Sequence, residues 1–100
     1  MKVHIDGARI FNALATYNLE GKDISDCFDS MTLCFTKGLC CPIGAALVCA
    51  KENVKKLKNI RKSLGGGILH SGILSNGIEY ALDNLLPEVK KDNQMAKLIA

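Results

Sequence analysis

The sequence predicts an α/β fold: a slice of a central sheet, three strands with packing helices. Three observations carry this. Runs with strand patterning fall at Val3–Ile5, Asp29–Phe35 and Ala45–Ala50, and runs with helical spacing lie between and after them. The third strand is apolar on both faces, the pattern of a sheet covered on both sides. Three strands also offer little sheet for four helices, which suits part of a layer better than a complete domain.

Val3-His4-Ile5 reads as the end of a strand running into Asp6-Gly7, where glycine lets the backbone turn without Cβ strain. Ala8 to Tyr17 reads as a helix, with Ile10, Leu14 and Tyr17 on one side and Phe11 beside them. Asn18 and Gly21 end it. Asp23 caps a short turn through Ile24 and Cys27. In the second strand Met31, Leu33 and Phe35 point one way, and Ser30, Thr32 and Cys34 the other. Pro42 and Gly44 break the chain before the third strand. Lys51 to Ser63 reads as an amphipathic helix. Gly65-Gly66-Gly67 marks a tight passage or hinge. Ile68 to Leu86 reads as a long, mostly buried helix, and Pro87 opens a last one running to Ile99.

The composition narrows the function classes. Hydrophobic residues make up 48% of the 100 and charged residues 23%, which is globular and not disordered. The longest apolar run, Ile43 to Ala50, is far short of the roughly 20 residues that span a bilayer. Met1 to Asp6 has no apolar signal core. The five cysteines, Cys27, Cys34, Cys40, Cys41 and Cys49, are odd in number and form no CxxC pair. They read as reduced thiols, not as a zinc site or a disulfide ladder, so a cytoplasmic location is expected, with no membrane partner. The net charge of +3 is modest. Its basic residues gather in Lys51 to Lys62 without interleaved aromatics, the solvated face of a helix rather than a nucleic-acid surface.

Three residues can carry chemistry. Asp6 stands where the first strand gives way to a loop, the end of an α/β strand where ligands bind. A carboxylate there can hold a cationic ring nitrogen protonated, or serve only as a turn residue or helix cap. Arg9 follows near the same surface, able to grip a substrate carboxylate or to pair with Asp6 itself. Lys37 lies just past the second strand, between Thr36 and Gly38. A Schiff-base lysine needs a lowered pKa from partial burial and nearby cations, and Gly38 would let the backbone pass close to a ligand. A ring-nitrogen partner and a Schiff-base lysine at neighbouring strand ends are what a pyridoxal cofactor requires.

Whole motifs match a known family. His4-Ile5-Asp6-Gly7-Ala8-Arg9-Ile10-Phe11-Asn12 resembles the pattern HLDGARLFNA. Thr36-Lys37-Gly38-Leu39 resembles SKGL, and Pro42-Ile43-Gly44 the P-(V/I)-G that follows it. Arg61-Lys62-Ser63-Leu64-Gly65-Gly66-Gly67 resembles the start of RKMLGGGMRQ. These patterns belong to the threonine aldolases, in the aromatic amino acid β-eliminating lyase/threonine aldolase group of fold-type-I pyridoxal enzymes. The resemblance runs from His4 to about Ala100.

The resemblance implies pyridoxal 5'-phosphate as cofactor and a retro-aldol split of a β-hydroxy-α-amino acid, such as threonine or allo-threonine, into glycine and an aldehyde. Asp6 would pair with the pyridinium nitrogen and Lys37 would form the Schiff base. Thr36, in place of the common serine, would keep a hydroxyl near the cofactor. Arg9 would hold the substrate carboxylate. Lys62 would support the site electrostatically, and His4 is either a neighbour of the ring site or merely a strand residue. Residues 1–86 would be part of the cofactor-binding large domain, and 87–100 the start of a helical connection toward a small domain. The phosphate-binding loop, the group stacked on the ring and the small domain's carboxylate-binding arginine would lie outside these 100 residues. Members are expected to form homo-oligomers. Leu69 and His70 stand where the family pattern has arginine and glutamine. A chain of this length is expected to be inactive alone, and the alternative is a non-catalytic remnant acting through protein interaction.

Overall fold

Parallel pairing joins β1 (His4–Gly7) to β2 (Ser30–Cys34), and β3 (Ala45–Cys49) joins β2 antiparallel, in the order β1-β2-β3. The computed structural model describes all residues, Met1–Ala100. The helices are α1 (Ile10–Tyr17), α2 (Val54–Ser63), α3 (Gly72–Asn84) and α4 (Val89–Ile99). A 3₁₀ turn over Gly21–Cys27 leads from α1 toward β2, and shorter ones precede α2 and α4.

The alternation of β2 decides the layering. Phe35 and Leu33 turn to one face with Ala46 of β3, where α1 (Phe11, Ala15), α3 (Ile78, Ala81, Leu82) and α4 (Val89) close over them. Leu39 and Val89 are fully enclosed at the centre of this cluster. Asn12 and Asn93 tie α4 to α1: Asn12 Nδ2 donates to Asn93 Oδ1 at 2.9 Å, and Asn93 Nδ2 donates to the Asn12 carbonyl at 2.8 Å. Residues 87–100 therefore pack into the same core as the rest of the chain.

The other face is largely bare, so the two-sided cover predicted for β3 is not formed within this chain. Leu47 is 46% exposed. Only α2 lies on that side, and it leaves a hollow of about 440 Å³ bordered by Thr32, Leu47, Cys49, Leu57 and Arg61. The accessible surface, 7771 Å², exceeds the roughly 5,500 Å² of a compact monomer of this mass.

Several local expectations change. β1 runs through Asp6 and Gly7, so Asp6 sits inside the strand rather than after it. Gly7 is needed for close approach, not for a turn: a Cβ there would lie 2.6 Å from the Thr32 carbonyl oxygen. Asp23 does cap, but from within the turn, its carboxylate accepting from the Glu20 N–H at 2.7 Å. The long buried helix from Ile68 is instead α3, starting at Gly72 and burying only Ala81. Ile73 is 82% exposed, because an amphipathic helix on a single sheet face buries one stripe. The triple glycine is a helix stop. Gly66 N–H reaches back to the Arg61 carbonyl and Gly65 N–H to that of Lys62, with Gly65 at φ 77°, in a Schellman arrangement.

Candidate functional site

Parallel pairing puts the C-terminal ends of β1 and β2 side by side. Asp6 is opposite Thr32, and Gly7 opposite Leu33. Asp6 therefore shares the bare face with His4, Ser30, Thr32 and Cys34. Its Oδ1 accepts the Ala8 N–H at 3.1 Å, which fixes the carboxylate against the turn into α1, while Oδ2 has no partner. The turn role and the exposed carboxylate coexist in one residue.

Arg9 is the residue just before α1, with φ −128° and ψ 31°, and its carbonyl accepts the N–H groups of Asn12 and Ala13. It is exposed and forms no ion pair, so the pairing with Asp6 that the sequence allowed does not occur. Lys37 follows β2 in a tight turn closed by the Cys40 N–H on its carbonyl at 2.9 Å. It too is exposed and unpaired, without the partial burial expected of it. Gly38 serves packing here: a Cβ would stand 3.2 Å from Asn12 Oδ1 and 3.7 Å from Val89 Cγ2. Lys62 lies in the last turn of α2, exposed and free of carboxylate partners.

Two side-chain contacts join this surface that the motifs do not contain. His4 bridges to β2 through both ring nitrogens, Nδ1 to Ser30 Oγ at 2.8 Å and Nε2 to Thr32 Oγ1 at 3.2 Å. Cys34 Sγ lies 3.1 Å from Thr36 Oγ1. That hydroxyl, with the Thr36 backbone, holds the thiol below its ordinary range; the Lys37 cation adds to this, while desolvation and the Asp6 carboxylate oppose it. The charges of Asp6 and Lys37 thus meet at Cys34. The alternation of β2 already placed Cys34 on the face of Asp6, but a composition rich in cysteine gave no reason to single it out. All five cysteines are free.

The donor set fits two ends of a pyridoxal ring system. An unpartnered carboxylate oxygen suits a protonated ring nitrogen, and an unpaired primary amine suits the aldehyde. Both belong to adjacent ends of parallel strands.

The beta-eliminating lyase family model matches residues 1–100. The chain belongs to the beta-eliminating lyase family. Within that family it is similar to the low specificity L-threonine aldolase of Escherichia coli K12, 41% identical over 100 residues. It is 38% identical over 100 residues to low-specificity L-threonine aldolase 1 of Arabidopsis thaliana. Each comparison covers all of this chain but only 30% and 28% of the relative, so the chain spans under a third of their length. A crystal structure from Listeria monocytogenes, named as an L-allo-threonine aldolase, superimposes with a TM-score of 0.83 at 23% identity over 91% of this chain and 25% of that one. This lyase-family chain therefore has the α/β fold of that structure, as the motifs imply.

Proposed function

We propose that this chain is part of a pyridoxal-phosphate-dependent threonine aldolase, a lyase that splits a β-hydroxy-α-amino acid into glycine and an aldehyde. One observation carries the reading: Asp6 near the end of β1 and Lys37 just past the end of the parallel β2 are both exposed and keep free polar atoms. The names of the relatives point to the same activity.

The roles are those the family resemblance implies for these positions. The Ala8 N–H orients the Asp6 carboxylate and leaves Oδ2 to hold the proton of a ring nitrogen. The Lys37 amine is the covalent anchor for the aldehyde. Thr36 keeps its hydroxyl beside that anchor. Arg9, unpaired at the start of α1, grips the substrate carboxylate, and Lys62 adds positive charge from the end of α2. When bound, pyridoxal phosphate supplies the electron sink for breaking the Cα–Cβ bond. Residues 1–86 form part of the large domain, and 87–100 lead toward a small one. The complete enzyme is a cytoplasmic homo-oligomer. No helix here is long and apolar enough to cross a membrane.

Borohydride reduction after incubation with pyridoxal phosphate, followed by peptide mapping, tests the anchor. Label is expected on Lys37 ahead of the other lysines, and is lost there in Lys37→Ala. Label spread evenly over the Lys51–Lys62 cluster, with none at Lys37, overturns the assignment and leaves the non-catalytic remnant. The 100-residue chain alone is expected to release little or no acetaldehyde from threonine. Rapid release would refute that part.

A further inference from the structure

We propose that Asn12 is a positioning residue for Lys37, holding the Lys37–Cys40 turn in place through Gly38. The inference rests on the anchor role proposed for Lys37 and deepens it. Asn12 lies in α1, and its N–H donates to the Arg9 carbonyl at 3.1 Å. Its half-buried side chain reaches α4 on one side and the turn after β2 on the other.

The bonds around Asn93 fix the orientation of the Asn12 amide. The Asn12 backbone carbonyl can only accept, so the Asn93 atom 2.8 Å from it is the amide nitrogen, Nδ2. That nitrogen also donates to Thr16 Oγ1 at 2.9 Å, and the Thr16 hydroxyl gives its own hydrogen to the Asn12 carbonyl at 2.9 Å. Both hydrogens of the Asn93 amide are thereby used, and its Oδ1 is left to accept. The Asn12 atom 2.9 Å from that oxygen is therefore the donor, Nδ2. Asn12 Oδ1 is then the atom turned to Gly38, and a Cβ built on Gly38 would stand 3.2 Å from it.

Three contacts meet on the C-terminal side of Lys37. Asn12 covers Gly38 from α1, and Val89, fully buried at the start of α4, lies 3.7 Å from the same Cβ position. Leu39 is fully enclosed in the core, and the Cys40 N–H closes the turn on the Lys37 carbonyl at 2.9 Å. The backbone beside Lys37 is thus held while its side chain stays exposed. A long, flexible amine meets a bound aldehyde reproducibly only when its own backbone is fixed. Asn93 fixes the Asn12 amide, and that amide limits how near Gly38 comes to α1. The glycines with positive φ are Gly44 and Gly65, so alanine at position 38 meets no left-handed backbone. Its one tight contact is Asn12 Oδ1, which makes Gly38→Ala a probe of this contact.

Borohydride trapping with pyridoxal phosphate and peptide mapping of the whole chain give the ratio of label at Lys37 to label at the other lysines. Variants are compared where they keep the wild-type circular dichroism. Asn12→Ala should lower the ratio roughly three- to tenfold, the worth of the one hydrogen bond that fixes its amide. Gly38→Ala should lower it in the wild-type background and add nothing to Asn12→Ala, where the space is open. Asp29→Ala, which loosens the far end of the sheet, should leave the ratio unchanged. An unchanged ratio in Asn12→Ala overturns the positioning role. So does an equal loss from Gly38→Ala in both backgrounds, or a loss in Asp29→Ala as large as that in Asn12→Ala. If wild type takes no label at Lys37, the aldolase reading fails and this role with it. A cost of Gly38→Ala in the urea midpoint that vanishes in the Asn12→Ala background then places the failure in the aldolase reading, not in the packing around Gly38.

Discussion

The two faces of the sheet obey different physics. On one, Leu33, Phe35 and Ala46 meet three helices and form the only continuous apolar core. On the other, His4, Asp6, Ser30, Thr32 and Cys34 stand in a polar row, with Leu47 half-open beside them. The same strands build both, because side chains alternate along a strand. The buried apolar contacts are concentrated on the first face and the exposed polar groups on the second. A polar group left on the bare face keeps access to water or ligand and carries no burial penalty.

The largest test of that division is a matched pair of truncations. Leu39→Ala removes a fully buried side chain from the centre of the core and should cost about 2–5 kcal/mol. Leu47→Ala, on the bare face, should cost about 1 kcal/mol or less. Urea midpoints of the two variants decide it. Similar losses would mean that the second face is as well packed as the first, and the contrast between them would collapse.

How much of this was legible in the sequence differs between the faces. The alternation of Met31, Leu33 and Phe35 is a local signal, so the inward face of β2 and the chain order of strands and helices could be read directly. The bare face could not, because Ala45 to Cys49 is apolar throughout and looks alike whether or not something covers it. Ile68 to Leu86 failed for a similar reason: an apolar-rich helix does not say how much of its circumference finds a partner. At the candidate site, motif matching singled out Asp6, Arg9, Lys37, Thr36, Lys62 and His4. It missed the Ser30–His4–Thr32 bridge and the Cys34–Thr36 contact, both of which depend on distances across or along strands that a motif does not contain. The antiparallel entry of β3 was likewise invisible without its register.

A smaller effect sharpens the account of the bare face. Cys34 is held below its ordinary pKa of 9.0, chiefly by the Thr36 hydroxyl and backbone, with help from Lys37 and opposition from Asp6. The thiolate is the reactive form, so alkylation at neutral pH should be faster than for a free thiol. Thr36→Val should move the pH–rate profile upward, slowing the reaction below pH 9 and leaving the alkaline plateau unchanged. Lys37→Met should shift it the same way by less, and Asp6→Asn should shift it downward. The rates are read by mass spectrometry of the Cys34 peptide. A profile indifferent to Asp6 and Lys37 would show that their charges do not converge there.

The smallest expected effect lies at the opposite end of the strands, away from the site. Lys2 Nζ and Asp29 Oδ1 are 2.7 Å apart on the surface. The hydrogen bond to Lys2 lowers the Asp29 pKa from 3.8, helped by the Val3 backbone, and the bond to Asp29 raises that of Lys2 from 10.5. The signs fix a window. The Asp29 contribution is present above 3.8 and lost as pH falls through its lower folded value. The Lys2 contribution is present below 10.5 and lost as pH rises through its higher folded value. Both charges are solvent-exposed, where such pairs contribute little. Asp29 does more than pair, however. Its Oδ2 accepts the Val3 N–H at 2.7 Å, and its own N–H donates to the Val3 carbonyl at 2.9 Å, joining the starts of β1 and β2. Lys2→Ala should therefore leave the neutral-pH urea midpoint nearly unchanged, and Asp29→Ala should lower it more. If Lys2→Ala proves the more damaging, the ion pair rather than the backbone clasp holds that end of the sheet.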